Sequence, residues 1–415
     1  MIAGFNWAVS AQKNPALAGA SRPKPQMQLK DPNGQYKRIH QYALRLFLLL
    51  RFDESKAFIL DHLSEHPDDA ESHYLMGIWH ARQSNANQAE DWFNKAINLG
   101  LPKGRVIAGP RALYRGIDQN HPFLRDLGME EQNQLVHGPL VGHVSHAAAS
   151  FWFRSSHSST IKVIASTSPR LSPPLLTAIG QTHSSADYTG IVRLIGLNPS
   201  TTYFYRIEID GKAISIPDGP ASFRTFALPG ASSRFRLAFG GGSGFVPRNE
   251  RAWTTIEAFS PQVLLLFGDN VYIDDPESII MQRYTYHRRQ SRPEWRHLTA
   301  RTPVFTIWDD HDFGTNDSWG GPHIDEPFWK PHFAFRTFRE NWANPGYGGG
   351  NKQPGCWYTF QVGDVDFVML DCRYYRTNPK GNRPTMLGPV QMKWFEETLI
   401  GLKGTFKVIC SSVPW

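Results

Sequence analysis

Clusters of acidic and basic side chains follow directly after short apolar runs in the C-terminal half of the chain. The apolar runs at residues 263–267, 303–307 and 365–370 end in GDNVY, WDDHD and DCR, respectively. A short apolar run bounded by turn residues is typical of a buried strand. α/β proteins usually place their chemistry at the carboxyl ends of such strands. If these strands share one sheet and one direction, acids, a histidine and an arginine converge on one rim.

Several carboxylates cannot all stay ionised in a poorly solvated site unless positive charge lies among them. A pair of metal ions would supply that charge. Carboxylate oxygens with a tyrosine phenolate and a histidine suit Fe³⁺, Mn²⁺, Ca²⁺ or Mg²⁺ better than an ion that prefers thiolates. Two such ions clamp a phosphoryl group and activate water, and an arginine beside them binds phosphate oxygens. The clusters therefore predict metal-assisted phosphoryl chemistry.

Each cluster also has a purely structural interpretation. The segment after residue 267 could be an acidic surface turn, and Arg373 a surface salt-bridge partner. WDDHD favours a site, because three acids and a histidine after a buried strand are costly without a counter-charge. The glycines at 240–244 could offer backbone amides to an anion or form a tight turn, and they lack the Lys-Ser/Thr ending of a P-loop. The basic stretch at 286–289 is more typical of a solvated helix face.

The elements that must position these residues predict a multidomain α+β protein. Strand and helix patterns alternate over residues 233–415, which indicates a layered α/β domain with five apolar strands. Residues 137–228 contain short strands with turn punctuation, including an Asp210-Gly211 hairpin signal, and predict an all-β sandwich of fibronectin or immunoglobulin type. Within it, LNPSTTYFYRIEIDG is similar to the fibronectin tyrosine corner.

The N-terminal third is predicted to be helical and repetitive. Ala43 and Gly77 stand thirty-four residues apart, as do Ile59 and Phe93, and residues 36–102 resemble two tetratricopeptide repeats. Such repeats could bind a protein partner in a groove, but two repeats offer little concave surface, so a packing or spacer unit is favoured. Residues 103–136 are predicted to form a connector, and residues 1–35 a disordered tail.

Composition excludes some function classes. The 415 residues are 40% hydrophobic and 20% charged, with a formal net charge of +7. No Lys/Arg block indicates nucleic-acid binding, and no stretch is long enough to span a membrane. The three cysteines lack CxxC spacing. The N-terminus lacks the features of a secretory signal.

The motifs together resemble one family. GDNVY, WDDHD followed by ND, and LDCRYYR are similar to successive blocks of the PhoD-like alkaline phosphatase/phosphodiesterase family, and GPLVGHVSHAAASFWFRS resembles the start of that family's N-terminal domain. The resemblance covers residues 138–415. It implies hydrolysis of phosphate mono- or diesters by a metal-bound hydroxide, without a phospho-enzyme, and a periplasmic or extracellular location.

The resemblance also implies residue roles. Asp269 would bridge two metal ions, Tyr272 would bind the ferric ion as a phenolate, and His311 would orient phosphate or protonate the leaving alkoxide. The full implied set is Asp269, Tyr272, Asp309 and Asp310 for metal, His311 and Arg373 for catalysis, and Arg373 and Asn270 for substrate.

The sequence departs from the family pattern in two places. Family members carry a cysteine ligand near the position of Gly242, so the implied Fe³⁺ and Ca²⁺ could be replaced here by Mn²⁺ or Mg²⁺ in a site of oxygen and nitrogen ligands. The family's last block, Gly/Ala-Asp-x-His, is absent before Trp415, which predicts an incomplete phosphatase domain in a fragment. The alternative function is an adaptor that binds partners through its helices and sandwich, with a degenerate phosphatase domain.

Overall fold

Four helices form two successive hairpins at the start of the described chain. The computed structural model describes residues 32–114, 117, 121–128, 134–216, 219–275, 277–320, 331–350 and 352–414. The hairpin helices are α1 Pro32–Leu48, α2 Phe52–Glu65, α3 Ala70–Arg82 and α4 Ala86–Asn98. The predicted tail therefore lies outside the described residues except for 32–35, which are helical because proline is compatible with a first helical turn.

The close contact between α3 and α4 explains why a small residue stands at Gly77, thirty-four residues after Ala43. A Cβ atom added at Gly77 would lie 2.4 Å from the ring of Phe93, and Phe93 is fully buried. The hairpin helices span residues 32–98, and the assignment of residues 36–102 to the tetratricopeptide family stays a prediction. Short helices follow in the connector: α5 Lys103–Ala108, a 3₁₀ turn Arg111–Leu113 and α6 Pro122–Gly128.

Eight strands form the next unit, and they belong to two sheets that pack face to face. The strands are β1 Leu135–Gly142, β2 Ala148–Ser155, β3 Thr160–Ser166, β4 Leu176–Gln181, β5 Thr189–Ile195, β6 Thr202–Ile209, β7 Lys212–Ile214 and β8 Ala221–Arg224. β1, β2 and β5 pair in one sheet and the other five in the second. Phe151 of β2 lies 4.8 Å from Tyr205 and 5.4 Å from Phe223 between ring centroids, across the two layers.

The first of these sheets continues into the following domain. β9 Leu237–Gly240, β10 Val263–Phe267 and β11 Val304–Ile307 are parallel to one another, and β1 pairs in parallel with β11 at Gly142 and Val304. The result is one six-stranded sheet in the order β5-β2-β1-β11-β10-β9. The two units predicted as separate domains therefore share a hydrogen-bonded sheet.

The prediction of five strands on one rim needs correction. β13 Val365–Met369 and β14 Phe406–Cys410 lie in a separate sheet together with β12 Tyr358–Val362, which was not predicted. Stacked aromatic rings join this sheet to the first: Phe360 lies 3.8 Å from Phe305 of β11 and 4.5 Å from Phe367 of β13. Two sheets packed face to face bury their apolar strands as effectively as one wide sheet.

The remaining helices connect and cover these sheets. They are α7 Arg251–Ala258, α8 Ile279–Gln290, α9 Pro293–Thr299, α10 Asp310–Phe313, α11 Pro331–Asn341 and α12 Gly388–Gly401. Within the ranges described above, no helix combines the length and apolar character needed to cross a membrane.

Helix α8 carries the basic stretch that was predicted to be solvated, and this prediction is wrong. Residues 286–289 are all at most 3% exposed, because the side chains of His287, Arg288 and Arg289 have partners on other elements. His287 pairs with Asp187 of the sandwich at 2.6 Å. Tyr284 donates to Glu71 of α3 at 2.6 Å. Arg289 is paired with Glu250 beside α7. Helix α8 therefore joins the helical hairpins, the sandwich and the α/β domain.

Candidate functional site

The turn after β10 is built so that Asp269 faces the end of β11. Gly268 and Asp269 both have positive φ, of 101° and 49°. A Cβ atom at Gly268 would lie 2.4 Å from the backbone nitrogen of Asp309, so only glycine allows the two strand ends to approach this closely. The GD dipeptide after the apolar run thus brings two predicted clusters together.

Three predicted site residues meet at this point. Ligand atoms of Asp269, Asp310 and His311 all lie within 4.8 Å of one another. The His311 backbone N–H donates to Oδ1 of Asp269 at 3.3 Å, and the Tyr272 hydroxyl donates to Oδ2 at 3.0 Å. The Asp269, Tyr272, Asp310 and His311 side chains therefore form one group, which we call the acidic centre.

The short helix α10 presents Asp310 and His311 because acids cap and anchor its first turn. Asp309 is the N-cap residue and forms a capping box with Asp312. Buried Asp312 also accepts the backbone N–H groups of Asn270 and Val271, at 3.1 and 3.2 Å, and burial raises its pKa well above the usual range. The three-residue spacing of Asp309 and Asp312 was the available sequence signal, and it was not used.

His311 is oriented by Asp274, one of two acids that follow the GDNVY motif. Its Nδ1 lies 2.5 Å from Oδ1 of Asp274, which leaves Nε2 as the ring nitrogen for a ligand or substrate. Burial lowers the pKa of His311, but the hydrogen bond and negative charge of Asp274 outweigh burial, so the pKa is raised overall. Asp275, the neighbouring acid, instead lies 3.7 Å from Nε of Arg45.

Arg373 and Asp309 form a buried ion pair beside the acidic centre. Nε of Arg373 donates to Oδ1 of Asp309 at 2.6 Å, and Nη1 donates to the Ser318 carbonyl at 3.1 Å. Nη2 lies 3.6 Å from Oδ1 of Asp310. Burial raises the pKa of Asp309 to about 6 despite this arginine. Asp309 was predicted as a metal ligand, but its carboxylate is held by Arg373 and lies outside the converging group.

Arg373 follows β13 of the second sheet, and buried Asp371 holds its backbone beside the acidic centre. Asp371 accepts the backbone N–H of Arg373 and the indole N–H of Trp308, at 2.9 and 2.8 Å. Trp308 follows β11 and Asp371 follows β13, so this contact fixes the ends of the two sheets together. The predicted convergence of strand ends is therefore achieved across two sheets.

Asn270, predicted to contact substrate, is turned into the protein. Its side chain is bonded to the Ile307 carbonyl at 2.9 Å and to the Thr306 hydroxyl at 3.2 Å, and the residue is only 2% exposed. These contacts connect β10 with β11, and we do not carry Asn270 into the proposed substrate site.

The glycine-rich segment after β9 supports the Asp269 turn from the opposite side. The Ser243 hydroxyl donates to the carbonyls of Asp269 and Asn270, at 3.3 and 3.1 Å, and Arg289 of α8 donates to the Ser243 carbonyl. A Cβ atom at Gly242 would lie 3.7 Å from the Tyr272 hydroxyl. The position where relatives were expected to have cysteine therefore adjoins the acidic centre.

The donors of the acidic centre fit a metal ion. Burial raises the pKa of Asp269. Burial also raises the pKa of Asp310, but the Asp317 backbone N–H and the Arg373 charge outweigh it and lower that pKa overall. Crowded carboxylates that are only partly neutralised by one arginine bind hard cations readily. Asp269, Asp310 and Tyr272 could serve as ligands.

A second group of possible ligands, His40, His62 and Asp69, lies in the helical hairpins. Nη1 of Arg288 is 3.3 Å from Nδ1 of His40. Arginine can only donate, so Nδ1 accepts and Nε2 carries the proton that it donates to Asp69 at 2.7 Å. Asp69 also accepts the Ser72 N–H as the cap of α3. We interpret this group as a hydrogen-bonded cap, because the His40 proton occupies the place a metal would need.

Comparisons with known protein families match two segments of the chain. Residues 237–415 match the family of PhoD-like phosphatases, and residues 132–226 match a family described as a domain of unknown function (DUF7800). None of the curated proteins matches the chain.

Among solved structures, a structure of PhoD aligns with a TM-score of 0.55 and 15% identity. The alignment covers 65% of this chain and 60% of that chain, so this chain spans about 60% of the length of its match. At this identity the likeness shows the fold alone. The sensor domain of the anti-sigma factor RsgI4 from Pseudobacteroides cellulosolvens aligns at 14% identity over 21% of this chain and 90% of that chain, and its TM-score of 0.17 carries no argument.

Proposed function

We propose that this chain, whose residues 237–415 form a PhoD-like phosphatase domain, hydrolyses phosphate mono- or diesters with the help of bound metal ions. The observation that carries the proposal is the acidic centre, in which Asp269, Asp310 and His311 place ligand atoms within 4.8 Å of one another. Burying several acids without an equal number of cations costs free energy, and such clusters are typical of functional sites.

Metal ions bound at the acidic centre would supply Lewis acidity, activating water and drawing charge from the phosphoryl oxygens. Asp269 and Asp310 would hold the ions, with Tyr272 as a phenolate ligand. The Tyr272 hydroxyl already contacts Asp269 at 3.0 Å, and burial beside that acid raises its pKa. A phenolate there requires a neighbouring cation, which suits Fe³⁺ and allows Mn²⁺.

The chain's own groups would orient the ester and move the proton. Arg373 is held 3.6 Å from Asp310, so its guanidinium adds fixed positive charge where phosphate oxygens would lie. Asp274 fixes the ring of His311 through Nδ1, so the proton on Nε2 can pass to the leaving alkoxide. Burial lowers the pKa of His311, but the hydrogen bond and the charge of Asp274 raise that pKa overall and so favour the protonated ring.

The test is hydrolysis of p-nitrophenyl phosphate and bis-p-nitrophenyl phosphate by the full-length protein. We expect turnover that is lost on chelation and restored by one or more of Fe³⁺, Mn²⁺, Ca²⁺ and Mg²⁺. Asp269→Asn should abolish turnover and weaken metal binding while the far-UV circular dichroism spectrum stays unchanged. Undiminished turnover in that variant would contradict the proposal, and metal binding without any turnover would favour the adaptor alternative.

A further inference from the structure

An arginine from the helical hairpins reaches the turn that carries Asp274. Nη2 of Arg45, on α1, donates to the Asp274 backbone carbonyl at 2.8 Å, and its Nε lies 3.7 Å from Oδ2 of Asp275. Asp274 has a positive φ of 52°, a conformation that non-glycine residues keep only when other contacts hold it. Arg45 supplies such a contact from outside the phosphatase domain.

The helix that carries Arg45 is fixed in place by buried polar contacts. Glu71 of α3 accepts hydrogen bonds from Tyr284 of α8 at 2.6 Å and from Nη1 of Arg105 at 3.0 Å. Arg288 of α8 contacts His40 of α1 at 3.3 Å. Because these groups are buried on both sides, breaking their contacts would leave unsatisfied charges. The helical hairpins are therefore held against α8 by these contacts.

The turn that contacts Arg45 also contacts His311. The Asp274 carboxylate holds Nδ1 of His311 at 2.5 Å, and the Ile273 N–H donates to the His311 carbonyl at 3.1 Å. A displacement of the Asp274 backbone would therefore rotate or release the imidazole. The ion pair with Asp275 adds little, since Arg45 is 41% exposed on its side chain and exposed pairs contribute weakly.

We propose that the helical hairpins brace the active-site turn and that Arg45 is a positioning residue, which acts on His311 through Asp274. The catalytic consequence rests on the proposed phosphoesterase function, whereas the effect on the turn does not. The hairpins lie outside both matched family segments, 132–226 and 237–415.

The test compares Arg45→Gln with Arg45→Lys and with the control Arg51→Gln. Arg51 belongs to the same hairpin, but its partner, Glu54, lies on the hairpin itself. Hydrogen–deuterium exchange of the metal-free protein should be faster at residues 269–275 in Arg45→Gln than in the wild type or Arg51→Gln. Exchange of α2–α4 should not change. With metal and substrate, kcat should fall about tenfold at nearly constant KM, and Arg45→Lys should recover part of it.

Each outcome decides one part of the inference. Equal exchange and equal kcat in Arg45→Gln and Arg51→Gln would overturn it. Faster exchange at the turn with unchanged kcat would mean that Arg45 stabilises the turn without positioning His311, which overturns the catalytic part. If the wild type hydrolyses no ester with any metal, the proposed function fails, and the exchange result still decides whether Arg45 holds the turn.

Discussion

Asp274 shows how much of the acidic centre depends on one outer carboxylate. Because it fixes the tautomer and the orientation of His311, we expect Asp274→Asn to lower kcat by about 10–100-fold, the usual cost of losing such a partner. Steady-state kinetics on p-nitrophenyl phosphate measure this loss. Asp275→Asn is the matched control, since Asp275 does not contact His311 and should change kcat by less than about twofold. Equal losses in the two variants would indicate a general effect of charge.

His311 should matter most when the leaving group is a poor one. We expect His311→Asn to reduce kcat/KM about 10²–10⁴-fold for an alkyl phosphate, because the alkoxide must gain a proton as it departs. The loss should be clearly smaller for p-nitrophenyl phosphate, whose phenolate leaves without protonation. Parallel assays on the two esters measure the difference. A loss of the same size for both esters would assign His311 to metal or phosphate binding alone.

The residue types that could bind metal were visible in the sequence, but their partners were not. GDNVY and WDDHD predicted Asp269, Tyr272, Asp310 and His311, which the structure brings together. The sequence could not show which of the two neighbouring acids, Asp274 or Asp275, contacts His311. That depends on the backbone turn, in which Asp274 has a positive φ. Asn270 was misplaced for a similar reason: its amide serves the contact between β10 and β11.

At the scale of elements, the close packing of α3 on α4 makes Gly77 sensitive to a single methyl group. Alanine would favour the helix by about 1 kcal/mol, but its Cβ would meet the buried Phe93 ring at 2.4 Å. We therefore expect Gly77→Ala to lower the free energy of unfolding by about 1–3 kcal/mol, measured by urea denaturation. Gly401→Ala is the matched control: it lies at the end of α12 with no atom within 4 Å of the added Cβ, and it should be neutral or stabilising.

Element boundaries were predicted well where apolar runs were continuous. β10 was predicted at its observed bounds, and β11 and β13 within one residue. β12, five residues in which apolar and polar side chains alternate, was not predicted, and its Phe360 stacks on Phe305, over fifty residues away in the sequence. The burial of α8 could not be predicted either, since the partners of its basic residues are distant in the sequence: they lie in the sandwich, on α1 and beside α7.

At the scale of the whole molecule, α8 makes stability sensitive to acid. Burial lowers the pKa of His287 to about 3, whereas an unfolded histidine has a pKa near 6.5. Between these values the unfolded chain binds more protons, so stability falls as pH drops from about 6.5 towards 3, by at most about 1.4 kcal/mol per pH unit. Asp187 adds a further loss below about pH 4, because its cationic partners outweigh burial and lower its pKa.

Urea denaturation at pH 7, 6, 5 and 4 would measure this dependence. His287→Gln keeps a donor for Asp187 but cannot titrate, so its stability should fall less steeply over the same range. An equally steep fall in the variant would show that other groups carry the acid sensitivity, among them His137, whose pKa is also lowered by burial.

The pairing of β1 with β11 also protects an edge of the sheet. A parallel bridge joins Gly142 to Val304, and a Cβ atom at Gly142 would lie 2.6 Å from the Ala343 carbonyl. Without the sandwich, the backbone of β11 would be open to neighbouring chains, and open strand edges promote aggregation. The sandwich therefore covers this sheet edge, and a chain that lacks residues 137–228 is expected to aggregate.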